Sequence, residues 1–233
     1  MSFSVVILSK NAANLQVCER AVRQCEPACR VVIVDDGLNP TSVHLPEAGC
    51  RFVSGEKPFI FARNANIGIR AAGQDDVILL NDDALLRTPN GFTMMSLVAQ
   101  TQPEYGVIAA SCNNVGNINQ HQQKGDGLRP EARMVCFVCA YIPRRTIEAV
   151  GLLDEVFTDY GCDDDDYCLR VRQAGLKIGI YDGCFVDHAS LKSQFRGNGC
   201  GDYRPNLKKF IAKHGVDNWG RSKANSDFAD LFA

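Results

Sequence analysis

The sequence lacks any segment typical of a membrane protein. No apolar run among its 233 residues approaches the roughly 20 residues that a transmembrane helix needs. The chain starts with Met1-Ser2-Phe3-Ser4 and continues directly into an apolar run, without the basic region of an export signal. From these absences we expect a cytoplasmic protein without a transmembrane segment.

Several binding motifs of other protein classes are also absent. The glycines Gly197, Gly199 and Gly201 do not connect a strand to a helix, which excludes a phosphate-binding loop of the Walker or dinucleotide type. Cys136 and Cys139 have the spacing of half a zinc site, but no second pair follows, and their apolar neighbours indicate a buried strand. The 11 cysteines are odd in number and scattered, so we expect reduced thiols that mostly fill the core.

Apolar runs typical of buried strands alternate with helical patterns along the chain. The predicted strands cover residues 4–8, 30–34, 51–53, 77–80, 106–110, 134–142, 177–180 and 184–186. The predicted helices cover residues 62–72, 91–99, 143–150 and 167–174, with further ones before Pro27 and around Phe210. With no internal repeat or linker, this alternation predicts a single α/β domain built on a mostly parallel, twisted sheet with helices on both faces. Residues 111–133 are polar and aperiodic, and we expect a long loop there beside the binding site.

Acidic residues follow two of the predicted strands directly. One apolar run ends at Asn81-Asp82-Asp83, and another ends at Asp35-Asp36. Ligand crevices in α/β sheets lie outside the carboxyl ends of the strands, so these acids are candidates for binding. The first pair could hold Mg²⁺ or Mn²⁺ together with water and substrate phosphates, and the second could accept hydrogen bonds from a base or a ribose. Each motif is also typical of an ordinary turn after a strand.

The densest acidic run, Asp163 to Asp166, precedes a predicted helix. Adjacent carboxylates repel one another and raise their pKa values, which suits a general base. The alternative is a solvated helix start, because Asp is favourable in the first turn of a helix.

Further candidates follow the last predicted strand. His188 comes directly after Asp187, and its imidazole could bind a Mn²⁺-type ion, although a core histidine is the commoner case. Lys192 and Arg196 could close on a diphosphate or belong to an ordinary solvated loop. Basic residues outnumber acidic ones from Ala189 onward, a balance that favours an anionic partner or surface and equally suits diphosphate binding.

The order of these motifs resembles that in family 2 glycosyltransferases of the GT-A fold. The resemblance is carried by VVILSKN ending at Asn11, VIVDDG ending at Gly37, NIGIRAA from Asn66, VILLNDD ending at Asp83, VGLLDEVF ending at Phe157, DDDDYCLR from Asp163, and His188. It spans roughly residues 4–188. It implies a GT-A catalytic domain over residues 1–190, with a nucleotide-binding half at about 1–88 and an acceptor-side half at about 89–190. Residues 191–233 are then expected to form a flexible lid segment and a basic carboxyl-terminal helix packed on the same domain.

The resemblance also implies an activity, the inverting, metal-dependent transfer of a sugar, expected to be a hexose, from a nucleotide-diphosphate sugar to an acceptor hydroxyl. Asp164 would act as the catalytic base beside Asp163, and Asp83 with His188 would hold Mn²⁺ or Mg²⁺. Asn81 replaces the first acid of the family's metal motif, which leaves Asp83 as the expected direct ligand. The donor, expected to be a UDP-sugar, would contact Ser9, Asp35, Asp36, Arg63, Asn66, Asn81, Asp82, Lys192 and Arg196.

Two other functions stay open from the sequence. A nucleotidyltransferase shares the nucleotide-binding fold and an acidic metal tip but releases pyrophosphate, and a silent nucleotide-sugar binder keeps the pocket without turnover. The absence of membrane helices argues against a processive polysaccharide synthase. The acceptor could be a glycan, a lipid-linked glycan, a protein or a modified nucleic acid. The sequence leaves the oligomeric state and the sugar and base of the donor undetermined.

Overall fold

The fold is built on one large β-sheet. This computed structural model describes residues 2–38, 49–191 and 201–215. Its strands are Phe3–Ser9 (β1), Arg30–Asp35 (β2), Cys50–Ser54 (β3), Asp76–Asn81 (β4), Leu85–Leu86 (β5), Tyr105–Cys112 (β6), Leu128–Glu131 (β7), Cys139–Ile142 (β8) and Lys177–Asp187 (β9). Its helices are Ala12–Cys25 (α1), Phe61–Ala71 (α2), Gly91–Thr101 (α3), Arg144–Val150 (α4), Asp163–Gln173 (α5) and Arg204–His214 (α6). The sheet has the order β3-β2-β1-β4-β8-β6-β9-β5, and β7 pairs with β9 outside this path.

Four neighbouring strands, β3, β2, β1 and β4, are parallel, so their carboxyl ends lie at one edge of the sheet. The register of β1 pairs Ser9 with Asp35 on one side and Leu8 with Asn81 on the other. The acidic ends of two strands therefore flank the end of a third. The inner three strands are apolar on both faces because helices cover both sides of the sheet.

Beyond β4 the sheet becomes mixed. β8 is antiparallel to β4 and β6, whereas β9 is parallel to β6. The short strand β5, which no sequence pattern indicated, is antiparallel to the end of β9 and pairs Leu85 with Asp187. This pairing brings Asp83 close to His188, although 105 positions separate them in the chain.

Helices pack on both faces of the sheet. α1 and α3 contact one face through residues such as Leu15 and Phe92, and α2, α4 and α5 contact the other through residues such as Ile69. α2 approaches β1 closely because Gly68 has no side chain, and a Cβ there would lie 2.2 Å from Val6 Cγ1. The predicted α/β architecture, with a central sheet between helices, is therefore confirmed.

Several predicted segments have different bounds in the structure. Residues 111–133, expected to be one long loop, contain the end of β6, a 3₁₀ turn at Ile118–Gln120 and strand β7. The predicted strand 134–142 forms only over β8. The two short strands predicted near the end of the sheet are one continuous strand, β9. α5 starts before the predicted helix and includes the whole acidic run.

Side-chain amides explain why the loop is ordered and why the strand before β8 is short. Gln120 Oε1 accepts a hydrogen bond from the backbone N–H of Cys136 at 2.9 Å, and Gln120 Nε2 donates to the carbonyl of Cys136 at 3.1 Å. Asn117 Nδ2 donates to the carbonyl of Met134 at 2.7 Å. These bonds take the place of a strand ladder, and they require no apolar periodicity in the sequence.

The last described helix, α6, packs against the segment before α5. Leu207, Phe210 and Ile211 form a small core cluster with Phe157 and Cys162. This contact attaches the carboxyl-terminal part of the described chain to the start of the acidic helix. Among the helices in the described ranges, none is long and apolar enough to cross a membrane.

Candidate active site

A cleft, here called the carboxyl-edge cleft, opens where the parallel strands end. It contains about 450 Å³ of empty space, which includes space open to solvent. Its lining comes from the ends of β1 and β4, the residue after β2 and the segment that leads into α2: Leu8, Ser9, Lys10, Asp36, Phe59, Phe61, Asn81, Asp82 and Asp83. Of the residues predicted from the sequence to contact donor or metal, the fold brings together Ser9, Asp36, Asn81, Asp82 and Asp83.

Asp82 carries a partly buried carboxyl group in this cleft. Ser9 Oγ donates a hydrogen bond to Asp82 Oδ2 at 2.6 Å, which connects the ends of β1 and β4. Burial raises the pKa of Asp82 to about 6, and the neighbouring charge of Asp83 adds to the shift, while hydrogen bonds from Ser9 and Asn14 oppose it. At neutral pH the group is ionised at a desolvation cost, and a bound cation would offset that cost.

Asp83 and His188 are in direct contact. His188 Nε2 lies 3.1 Å from Asp83 Oδ1, and both side chains are almost fully buried. Two neighbouring ligands of an octahedral ion with bonds of about 2.1 Å lie about 3 Å apart. The spacing of the two atoms therefore matches that of two ligands sharing one small divalent ion.

The hydrogen bonds of His188 define its tautomer. His188 Nδ1 lies 2.6 Å from the carbonyl oxygen of Asn114, and because a carbonyl can only accept, Nδ1 carries the proton. In the neutral ring the lone pair is then on Nε2, which faces Asp83. Two electron-rich atoms at this distance need positive charge between them, either a proton or a metal ion.

The donor set fits Mn²⁺ or Mg²⁺ with part of the shell supplied by substrate. A carboxylate and an imidazole are ordinary ligands of Mn²⁺, and Mg²⁺ usually keeps waters and phosphate oxygens beside one or two carboxylates. Within residues 2–38, 49–191 and 201–215, no group of three or more histidine, cysteine, aspartate or glutamate side chains is arranged to hold a metal ion alone. A complete shell at Asp83 and His188 therefore requires oxygens from phosphate or water.

The two acids after β2 have different surroundings. Asp36 is buried in the cleft wall, where Lys57 Nζ donates to Asp36 Oδ1 at 2.7 Å and Asn64 Nδ2 donates at 3.2 Å. Asp35 Oδ1 accepts from the backbone N–H groups of Gly37 at 2.8 Å and Leu38 at 2.7 Å. Asp35 therefore stabilises a turn after β2, which is the alternative interpretation of this motif. Its contact with a nucleotide stays a prediction.

Arg63 and Asn66 support neighbouring segments and do not line the cleft. Arg63 donates to the carbonyl of Pro58 and lies 3.4 Å from Glu56, so it braces the segment that leads into α2. Asn66 is buried and exchanges hydrogen bonds with the backbone of Leu153 at 2.9 and 3.0 Å. Their contacts with a donor stay a prediction. Lys192 and Arg196, predicted to bind the diphosphate, lie outside the described residues.

The helix that carries Asp164 starts with an unusual backbone reversal. Gly161 has a φ of 78° and Cys162 a φ of 67°, so two consecutive residues are in the left-handed region. This region is costly for a residue with a side chain, and such strain is concentrated at functional sites. The reversal starts α5 directly at Asp163, with the acidic run in the first helical turn.

Asp164 is connected to the end of β4 through two adjacent residues. The backbone N–H of Phe137 lies near the Asp164 carboxylate and acts to lower its pKa. The next residue, Val138, accepts a hydrogen bond at its carbonyl from the N–H of Asn81 at 3.0 Å. Asp164 therefore lies near the segment that pairs with the strand end carrying Asp82 and Asp83.

The electrostatics at the start of α5 favour a proton acceptor. Burial raises the pKa of Asp164 to about 7, and repulsion from Asp163 adds to the shift. Burial also raises the pKa of Asp163 to about 6. A carboxylate whose pKa lies near neutral pH is well matched to proton transfer.

The other two acids of the run serve packing. Asp165 and Asp166 are both buried. The carboxylate of Asp165 lies 3.2 Å from the guanidinium of Arg133. Asp166 contacts three basic side chains, Arg170 at 2.8 Å, Lys213 at 2.6 Å and His214 at 2.7 Å. The interpretation of the run as a solvated helix start is therefore wrong for Asp165 and Asp166.

Several basic and aromatic residues of the site were missed from the sequence. Lys10, Phe59 and Phe61 line the cleft, and Lys57 pairs with Asp36. The closely spaced aromatic residues at the start of α2 were the available signal, but such a pair at a helix start is equally typical of a core. The position of Lys10 directly after β1, at the same sheet edge as the acids, was a second signal.

Comparison with known proteins identifies the fold. No protein-family model and no curated protein sequence matches the chain. The crystal structure of GalNAc-T7 with UDP, GalNAc and Mn²⁺ matches 90% of this chain with a TM-score of 0.69 at 16% identity. The crystal structure of S. aureus TarS 1–349 matches 79% of this chain with a TM-score of 0.58 at 12% identity.

These neighbours are longer than this chain. The chain covers 47% of the GalNAc-T7 chain and 60% of the TarS chain, about half of the length of each. Both neighbours are GT-A glycosyltransferases. The structural match establishes the backbone arrangement of the chain. The chain has the GT-A glycosyltransferase fold, as the order of its motifs predicts.

Proposed function

We propose that this protein is a metal-dependent, inverting glycosyltransferase that moves a hexose from a UDP-sugar to an acceptor hydroxyl. The observation that supports it most directly is the 3.1 Å contact between Asp83 and His188 next to the carboxyl-edge cleft. The fold adds support, because the GalNAc-T7 structure with this backbone arrangement was obtained with UDP, GalNAc and Mn²⁺. Residues 1–190 form the catalytic domain in this proposal.

The donor would bind in the carboxyl-edge cleft. Asp36 is held in the wall by Lys57 at 2.7 Å and would accept hydrogen bonds from the base or the ribose. Phe59 and Phe61 supply apolar surface on the same side, which suits the face of a base. Residues 1–88 are then the nucleotide-binding half, with the diphosphate directed toward Asp82 and Asp83.

Asp83 and His188 would hold Mn²⁺ or Mg²⁺. When bound, such an ion neutralises the charge that develops on the leaving diphosphate. Asp82 has a pKa of about 6, so at neutral pH its ionised carboxylate adds to the negative potential that attracts the cation. His188 keeps its ring in place through the bond from Nδ1 to Asn114 O at 2.6 Å.

Asp164 would act as the general base on the acceptor side, within residues 89–190. It would accept the proton of the acceptor hydroxyl while the hydroxyl oxygen bonds to the anomeric carbon and the bond to the diphosphate breaks. A single displacement from the side opposite the leaving group inverts the anomeric carbon. The neighbouring charge of Asp163 helps to keep the pKa of Asp164 high enough for this proton transfer.

A ligand screen followed by product analysis tests the proposal. Because a ligand that binds only the folded state raises its melting temperature, UDP-sugars should stabilise the protein when MnCl₂ is present. The Asp83→Asn variant should lose the Mn²⁺-dependent part of that shift. Asp202→Asn, which changes an exposed acid near α6, is the matched control and should behave as the unaltered protein.

The reaction products distinguish a glycosyltransferase from a nucleotidyltransferase and from a silent binder. A glycosyltransferase releases UDP from the sugar donor, whereas a nucleotidyltransferase releases pyrophosphate from a nucleoside triphosphate. Stabilisation without turnover, over a panel of glycan, lipid-linked, protein and nucleic-acid acceptors, would indicate a silent binder. Release of pyrophosphate, or no stabilisation by any nucleotide sugar with Mn²⁺, would refute the proposal.

A further inference from the structure

Two asparagines after β6 hold the end of β9 by four hydrogen bonds. Asn113 Oδ1 accepts from the N–H of His188 at 2.9 Å, and Asn113 Nδ2 donates to Asp187 Oδ1 at 2.9 Å. Asn114 Nδ2 donates to the carbonyl of His188 at 3.1 Å, and the carbonyl of Asn114 accepts from His188 Nδ1 at 2.6 Å. We call Asn113 and Asn114 the asparagine clamp.

The clamp follows from the pairing of two strands. β6 and β9 are parallel, and their register aligns Cys112 with Val186, so the residues after both strands meet at the same sheet edge. An asparagine side chain offers one acceptor and two donors, which lets Asn113 bind a backbone N–H and a carboxylate at once. The other carboxylate oxygen of Asp187, Oδ2, accepts a hydrogen bond from Arg87 Nη2 at 2.9 Å.

The clamp acts on both the position and the tautomer of His188. The backbone of His188 is bonded at its N–H and at its carbonyl, which limits its movement relative to β6. The bond from Nδ1 to the carbonyl of Asn114 places the ring proton on Nδ1 and directs Nε2 toward Asp83. Partners of this kind orient metal-binding histidines and set which nitrogen is available to the ion.

We propose that Asn113 and Asn114 are positioning residues for the metal ligand His188, which extends the proposed function and rests on it. The side chain of Asn113 contributes two bonds to this arrangement. Asn114 contributes one through its side chain and one through its backbone carbonyl. Substitution of Asn113 should therefore matter more, because its side chain makes two of the four bonds and the side chain of Asn114 makes one.

The test measures Mn²⁺ binding to the full chain without donor, by electron paramagnetic resonance of free Mn²⁺. Loss of an outer partner of a metal ligand costs about 10–100-fold in affinity, and because Asn113 is exposed to water we expect about tenfold for Asn113→Ala. Asn114→Ala should show a smaller loss. Asn119→Ala is the matched control, because it removes one hydrogen bond to Glu131 in the same segment and touches nothing at His188.

A second measurement does not depend on metal. Long-range ¹H–¹⁵N spectra of the imidazole, assigned with His188→Gln, should show the proton on Nδ1 in the unaltered protein and a mixture of tautomers in Asn113→Ala. If Asn113→Ala does not fold, Mn²⁺ affinity and the tautomer of His188 are measured in Asn114→Ala instead. Unchanged Mn²⁺ affinity and an unchanged tautomer in the clamp variants would overturn the inference. Failure of the unaltered protein to bind Mn²⁺ would refute the metal site itself.

Discussion

Replacing Asp164 with asparagine should remove catalysis and stabilise the fold at the same time. The substitution keeps the size of the side chain and an acceptor for the N–H of Phe137, but it removes the group that takes the proton. General bases contribute about 10²–10⁴-fold to rate, so turnover of Asp164→Asn should fall by about that factor while donor binding survives. The rate is measured as UDP release at saturating donor.

The pH profile provides the sharper part of this test. With a pKa of about 7, roughly a quarter of Asp164 is ionised at pH 6.5 and nearly all at pH 8.5, so kcat/KM should rise about fourfold. This window lies above the pKa of Asp82, about 6, so the titration of the metal region interferes little. The residual activity of Asp164→Asn should not change across the same range.

Stability should change in the opposite direction. The folded state raises the pKa of Asp164 to about 7, above the value of about 4 in an unfolded chain. The folded state therefore binds the proton more tightly, and this stabilisation is present below pH 4 and lost as the pH rises through 7. Because asparagine does not ionise, Asp164→Asn should melt at a higher temperature than the unaltered protein above pH 7, and the difference should shrink toward pH 4.

Two results would contradict this reasoning. Unchanged turnover in Asp164→Asn would exclude Asp164 as the base. A lower melting temperature of the variant at pH 8 would show that the ionised carboxylate is favourable in the fold, against the burial that the structure shows. Asp159→Asn is the control for charge removal, because Asp159 is an exposed acid that pairs with Lys209 ahead of α5.

The other predictions concern the metal site and the packing of the fold. His188→Gln should weaken Mn²⁺ binding by at least about tenfold, as measured by Mn²⁺ titration, and unchanged affinity would remove His188 from the site. Gly68→Ala should lower the free energy of unfolding in urea by about 1–3 kcal/mol, because overpacking against Val6 exceeds the helix preference of alanine. An equally stable variant would show that α2 can shift away from β1. Asp166→Asn should cost about 3 kcal/mol in the same assay, since Lys213 and Arg170 lose a buried carboxylate. An unchanged midpoint would mean that these ion pairs do not stabilise the fold.

Several features at the start of α5, around the proposed base, lower the stability of the fold. Cys162 is held in a left-handed conformation that asparagine or glycine would adopt more easily. The carboxyl groups of Asp163 and Asp164 are partly buried and adjacent, and the desolvation raises both pKa values. Residues arranged for chemistry are often unfavourable for stability in this way. The ion pairs of Asp166 with Lys213 and Arg170 hold the same helix in place.

Much of the fold follows from local pattern. Apolar runs, helical periodicity and the acids at strand ends are properties of neighbouring residues, so β1, β2, β4 and most helices lie close to their predicted positions. Because parallel strands place their carboxyl ends at one edge, the sequence also predicts that the acids after β2 and β4 meet. Their meeting with Ser9 in the carboxyl-edge cleft agrees with that expectation.

The remaining features depend on contacts between residues that are distant in the chain. The pairing of β5 with the end of β9 joins Leu85 to Asp187, and no local pattern in a two-residue strand predicts it. Individual side-chain amides hold residues 113–127 in place and form the asparagine clamp. These amides bond to the backbone that the fold brings near them, so they leave no periodic pattern in the sequence. Asn66 illustrates the same limit, because the resemblance implies a contact with the donor, whereas its amide forms hydrogen bonds with the backbone of Leu153. Local sequence therefore specified the strands, the helices and the acids at their ends, and long-range hydrogen bonding selected which polar side chains face the cleft and which hold the chain together.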